Sequence, residues 1–136
     1  MASADDIVVV DTNVISFFVE GDTGAALYQP HLDERLQIIA AQTRAELELW
    51  TLIRNWGHRR RAALHAYLKD FVLAEADEAT CLSWAAVQAN VRKRGHPISV
   101  SDAWIAATAL AYDVPLVTHS PDDFKNVPGL SIITEK

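Results

Sequence analysis

Acidic residues in this chain fall where apolar runs end. Asp11 closes the run "IVVV" (7–10), and Glu46 lies in the first turns of the helical pattern behind "LQIIA" (36–40). Asp102 stands at the head of "SDAWIAATALAY", and Asp122 and Asp123 sit in "THSPDDF", behind "PLVT" (115–118). Singly, each has an ordinary structural use. Aspartate caps helix N-termini, an acid in the first turn complements the helix dipole, and "SPDD" is turn-forming sequence. Brought to one place, these carboxylates repel and raise one another's pKa unless something positive sits among them. Oxygen ligands without His or Cys partners suit Mg2+ or Mn2+, which keep several waters and bind phosphate oxygens. Such an ion activates a water and stabilises the leaving oxygen of a phosphodiester. Phosphodiester hydrolysis is the chemistry that these residue types point to.

The elements that would position them follow from periodicity. Val/Ile-rich runs at 7–10, 36–40, 71–74 ("FVLA"), 115–118 and 130–133 ("LSII") read as strands, and helical patterns at 42–55, 58–70, 77–94 and 101–112 lie between them. Gly21, Gly57, Gly95 with Pro97, and Gly129 act as breaks. Continuous apolar strands separated by helices predict an α/β fold, a three-layer α/β/α sandwich on a central, mainly parallel sheet. In such sheets the functional groups collect at the carboxyl ends of the strands. Glu46 is expected beside an apolar stripe of Ala45, Leu49, Leu52 and Trp56. Ser101 is expected to cap the helix that Asp102 opens. That helix, apolar nearly all round, is expected to be buried.

Composition narrows the function classes. At 136 residues the chain suits one domain, taken here as 1–136. Half of it is hydrophobic, yet no run approaches the roughly 20 residues of a membrane helix. The start "MASADD" is unlike a secretory leader, so a soluble, cytoplasmic protein is expected. One cysteine, Cys81, rules out an internal disulfide and reads as a small core residue. The formal charge of −6 argues against coating nucleic acid by broad phosphate neutralisation, but not against cutting it.

"VVVDTNVIS", "TRAELELW", "SVSDAWIAATALAYDVPLVTHSPDDF" and "VPGL", in that order over nearly the whole chain, resemble the PIN-domain family. More narrowly they look like the VapC ribonuclease toxins of bacterial toxin–antitoxin pairs. The resemblance implies a Mg2+-dependent endoribonuclease, with Mn2+ able to substitute, that is restrained by a VapB-type antitoxin and is often a homodimer. Matched position by position, Asp11, Glu46 and Asp102 take the place of the first three family acids. Asp123, directly before Phe124, matches the fourth, with Asp122 as its rival. Thr12 and Asn13 match the polar residues that orient the first acid. Thr118 matches a family Thr, and Ser120 stands where an Asn or Asp is common.

The basic residues Arg59, Arg60 and Arg61, with Arg44 and Lys93, are candidates for holding RNA phosphates. Trp50 and Trp56 are core residues by their type, or else anchors for an antitoxin or a second subunit. His119 reads as a structural loop residue rather than a base. Two other classes compete. A haloacid-dehalogenase-type phosphotransferase needs a second Asp where this chain has Asn13. A non-catalytic PIN-like binding module would have lost acids that this chain keeps.

Overall fold

Three consecutive valines behind Ile7 form β1 (Ile7–Val10), and all three are fully buried because the strand is covered on both faces. The computed structural model describes residues 6–136. The opening "MASAD", most of the stretch read above as unlike a leader, lies outside them. Further along come β2 (Leu36–Ala40), β3 (Val72–Ala74), β4 (Leu116–Val117) and β5 (Ile132–Ile133). They pair in parallel in the order β3-β2-β1-β4-β5. From β1 the chain works outward through β2 to β3, then returns to the other side of β1 with β4. That reversal makes the β1/β4 seam the topological switch point, where such sheets open a crevice at their carboxyl ends.

The helices are α1 (Thr12–Val19), α2 (Gly24–Leu32), α3 (Ala41–Ile53), α4 (His58–Leu68), α5 (Glu78–Lys93) and α6 (Val100–Tyr112). Side chains alternate across a strand. Val8 and Val10 therefore face one layer, with Val14, Tyr28, Leu47 and Leu64 of α1 to α4, while Val9 faces the other, with Val87 of α5 and Ile105 of α6. The fold class is the one expected.

Differences are local. Helix α2 is an addition to the expected set, and it carries Pro30 and buries only Tyr28 and Leu32. The stripe foreseen on α3 is mostly outward. Leu49 and Leu52 are 51% and 57% exposed, whereas Thr43, Leu47 and Thr51 face the core. Two threonines can take this buried face because their hydroxyls are satisfied: Thr43 accepts from Thr12, and Thr51 donates to the Glu48 carbonyl. Cys81 is exposed rather than a core residue, since α5 turns Thr80, Val87, Gln88 and Val91 inward.

Tyr28 shows how α2 serves the sheet end. Its hydroxyl lies 2.6 Å from His119 Nδ1 and 3.4 Å from the Thr118 carbonyl, and it accepts the Glu135 N–H at 3.1 Å. One buried phenol thus ties α2 to the loop after β4 and to the chain beyond β5. Removing it takes a partner from the part-buried His119 ring and the Glu135 amide, so Tyr28→Phe is expected to lower stability by about 1 kcal/mol. The readout is a lower urea midpoint at unchanged slope; an unchanged midpoint would show that the hydroxyl is not the tie.

Candidate active site

Asp11 is the N-cap of α1 and one of the most buried charged groups, 5% exposed. Its Oδ1 accepts the Thr12 N–H at 2.7 Å, and its Oδ2 accepts the Thr118 hydroxyl at 2.7 Å, across the β1/β4 seam. The Thr118 oxygen in turn accepts the Ser120 N–H at 3.0 Å. Asn13 fastens the same loop, donating to Ser120 Oγ at 3.0 Å and accepting the His119 N–H at 3.2 Å. Capping and seam-bridging are therefore one placement.

Helix α3, leaving the carboxyl end of β2, carries Glu46. Its Oε1 accepts the Ser101 hydroxyl at 2.7 Å and the Gln42 amide at 3.2 Å. Ser101 is thus not the cap of α6. Ser99 caps it, accepting the Asp102 N–H at 3.0 Å, which frees Ser101 for Glu46. Asp102 lies in the first turn of α6, and Asp123 closes the 3-10 turn Pro121–Asp123 after β4.

Asp11, Glu46, Asp102 and Asp123 line one open cavity of about 320 Å³, together with Thr12, Asn13, Ser16, Trp50, Ser101 and Ile105. Asp122 lines a neighbouring cavity that Asp102 and Asp123 share. Among the described residues no Lys, Arg or His forms an ion pair with any of the four acids. Burial, with the charges of Asp102 and Glu46, pushes the Asp11 carboxyl up to about 6 against the pull of its two hydrogen bonds. Asp102 is also raised, chiefly by burial and further by Asp123 and Glu46.

The donor set is all oxygen, anionic and self-repelling, which suits a hard divalent cation. Among the described residues no three carboxylate, imidazole or thiolate groups stand close enough to enclose an ion. The acids instead line an open mouth, compatible with Mg2+, which keeps several waters and takes only one or two protein carboxylates beside substrate phosphates.

The basic and imidazole candidates lie elsewhere. His119 is held by Tyr28 and packs edge-on against the Phe17 ring. Arg44 and Arg61 pair with Glu48, Arg60 pairs with Glu20, and Arg59 and Lys93 are exposed. None of the five is among the residues lining the acid cavity. Trp56 is a core residue, 8% exposed, whereas half-buried Trp50 is a cavity wall. Sequence reading missed Ser101 as a partner of Glu46 and Trp50 as part of the site. The signal for Trp50 was its spacing, one helical turn after Glu46.

The PIN domain family matches residues 8–130. Ribonuclease VapC5 of Mycobacterium tuberculosis is 26% identical over 127 residues, 92% of this chain and 90% of its own length. Ribonuclease VapC4 of the same organism is 29% identical over 75 residues, 55% of this chain and only 57% of its own. Against several of these relatives the chain thus matches little more than half their length or less. Among solved structures, VapBC2 from Rickettsia felis bound to a promoter DNA fragment contains a chain that superimposes with a TM-score of 0.84 at 18% identity, covering 96% of this chain and 99% of that one. VapBC-5 from Mycobacterium tuberculosis gives 0.69 at 25%, covering 95% and 97%.

The raised Asp11 carboxyl has a sign that stability can test. A folded value above the unfolded one favours the fold while the group is protonated, and that advantage is lost as pH rises from 3.8 through about 6. Roughly two pKa units correspond to about 3 kcal/mol. In EDTA, the stability of Asp11→Asn relative to the parent is therefore expected to climb by about 3 kcal/mol between pH 4 and pH 7 and then to level off. A pH-independent difference in urea unfolding would contradict the burial argument.

Proposed function

The chain belongs to the PIN-domain family, and we propose that it is a Mg2+-dependent endoribonuclease, the toxin of a VapBC-type pair, acting in the cytoplasm. The observation that carries this reading is the convergence of Asp11, Glu46, Asp102 and Asp123 on one cavity at the switch point with no ion pair, among the described residues, to neutralise them. The ribonuclease names of the relatives support it, and so does the likeness to chains from VapBC complexes.

Asp11, Glu46 and Asp102 would share the ion, one or two of them binding it directly and the rest through its waters, with Asp123 at the rim. Bound there, Mg2+ supplies water activation and charge stabilisation at the leaving oxygen. The protein's own part is to fix geometry. Thr118 and the Thr12 amide leave Asp11 little freedom to rotate, and Ser101 and Gln42 orient Glu46. Asn13 and Ser120 brace the loop that delivers Asp123. Such bracing tunes an ion site nearly as much as the ligands do. Exposed Leu49, Leu52 and Ile53 on α3, with Val72 and Leu73 at the β3 edge, supply apolar surface for a VapB-type antitoxin and for a second copy of the chain.

Incubated with RNA, the protein should cleave in Mg2+ or Mn2+, stop in EDTA, and leave 5′-phosphate and 3′-hydroxyl ends. Asp102→Asn should lower cleavage at least about 100-fold while staying folded, and His119→Ala should retain most activity because its ring serves the Tyr28 contact. Products ending in a 2′,3′-cyclic phosphate, formed undiminished in EDTA, would overturn the metal mechanism. In a bacterial host, expression should arrest growth, Asp102→Asn should not, and the gene immediately upstream should relieve the arrest. Equal arrest by both proteins would show that the harm is not catalytic.

A further inference from the structure

Along α3, Glu46, Trp50 and Arg54 follow one another at four-residue steps, so an acid, an indole and a guanidinium form a stripe along one side of the helix. Trp50 lines the cavity of the four carboxylates. An indole there can neither hold a hard cation nor move a proton. What it offers is a flat π-surface about one turn, 5.4 Å, beyond Glu46. The Arg54 guanidinium lies over that ring, 5.0 Å from its centroid. Arg54 is about half exposed, and it shares Glu20 with Arg60, so two cations face one anion and the pair stays net positive. Beside an acid-lined cavity that repels phosphates, this is a cationic flank.

Single-stranded RNA is bound by stacking its bases on aromatic rings and gripping its phosphates with Arg. We propose that Trp50 and Arg54 form a nucleotide subsite beside the acid centre, Trp50 stacking on the base next to the scissile phosphate and Arg54 holding the following phosphate. This rests on the endoribonuclease reading, and it makes α3 the track along which a single strand enters. Trp56 makes the contrast. Arg60 covers its ring at 3.8 Å, but that pair lines an apolar groove with Phe18, Val19 and Leu64, away from the acids.

The test uses binding, in the non-cleaving Asp11→Asn protein with Mg2+ present, of a fluorescein-labelled 12-nucleotide single-stranded RNA of mixed sequence, followed by anisotropy. Trp50→Ala should weaken Kd about 10-fold or more, and Trp50→Phe, which keeps a ring, by clearly less. Arg54→Ala should also weaken binding and reduce the slope of log affinity against log salt by about 0.7, whereas Trp50→Ala leaves the slope unchanged. An RNA abasic at the stacked position should bind the parent and Trp50→Ala alike. If the native protein cuts no RNA yet these binding differences hold, the subsite stands and the nuclease reading falls. If Trp50→Ala and Arg54→Ala bind the RNA like the parent, the subsite is overturned, also where the same variants lose binding to an antitoxin peptide.

Discussion

Everything at the carboxyl edge of the sheet turns on one buried carboxylate. Asp11 sits at the end of the central strand, where the chain must leave a dry sheet and start a helix. Its two oxygens are occupied by the Thr12 amide and the Thr118 hydroxyl. The same two contacts cap α1 and close the β1/β4 seam, so the position cannot be relaxed without loosening both. Burying the charge works against the fold, as its carboxyl near 6 records. A residue chosen for stability alone would satisfy the cap without that penalty, which sets Asp11 apart from an ordinary N-cap aspartate.

The other acids come to Asp11 on elements whose placement the sheet order dictates. β2 is paired directly with β1, so α3 begins at the same edge and swings Glu46 over it. α6 packs its Ala-rich length against the opposite face of the sheet and presents Asp102 at its first turn. The loop after β4 both anchors Asp11 through Thr118 and carries Asp123 around by way of a 3-10 turn. Ser101 then links α6 to α3 by its bond to Glu46. Four separate segments are in this way held against their mutual repulsion by hydrogen bonds to neutral groups, and among the described residues no cationic side chain pairs with the four acids.

Much of this was legible in the sequence, because buried parallel strands leave continuous Val and Ile runs and an acid at the end of such a run is conspicuous. The ordering of the segments 7–10, 36–40 and 115–118 was enough to place three acids at one edge. Less was legible where side-chain chemistry overrides apolar patterning. The inward face of α3 is Thr43, Leu47 and Thr51, and no hydrophobic stripe reveals it, since two of its three residues are buried by satisfying hydroxyls. α2 has almost no apolar contrast and carries a proline, so only the Tyr28 contacts disclose why it is there. The arginines gathered at 59–61 drew attention as a charge run, but two of them are held by Glu20 and Glu48 at the side of the molecule. Arg54, which lies over Trp50, was hidden because it stands alone in sequence.

The claim that these carboxylates act as one cation site is tested most directly by titrating Mn2+ into the protein without RNA and following the free ion by electron paramagnetic resonance. One class of sites is expected, weakened about 10-fold or more by Asp11→Asn and again by Asp102→Asn, with the circular dichroism of both variants unchanged. Equal Mn2+ binding by the parent and both variants would contradict it.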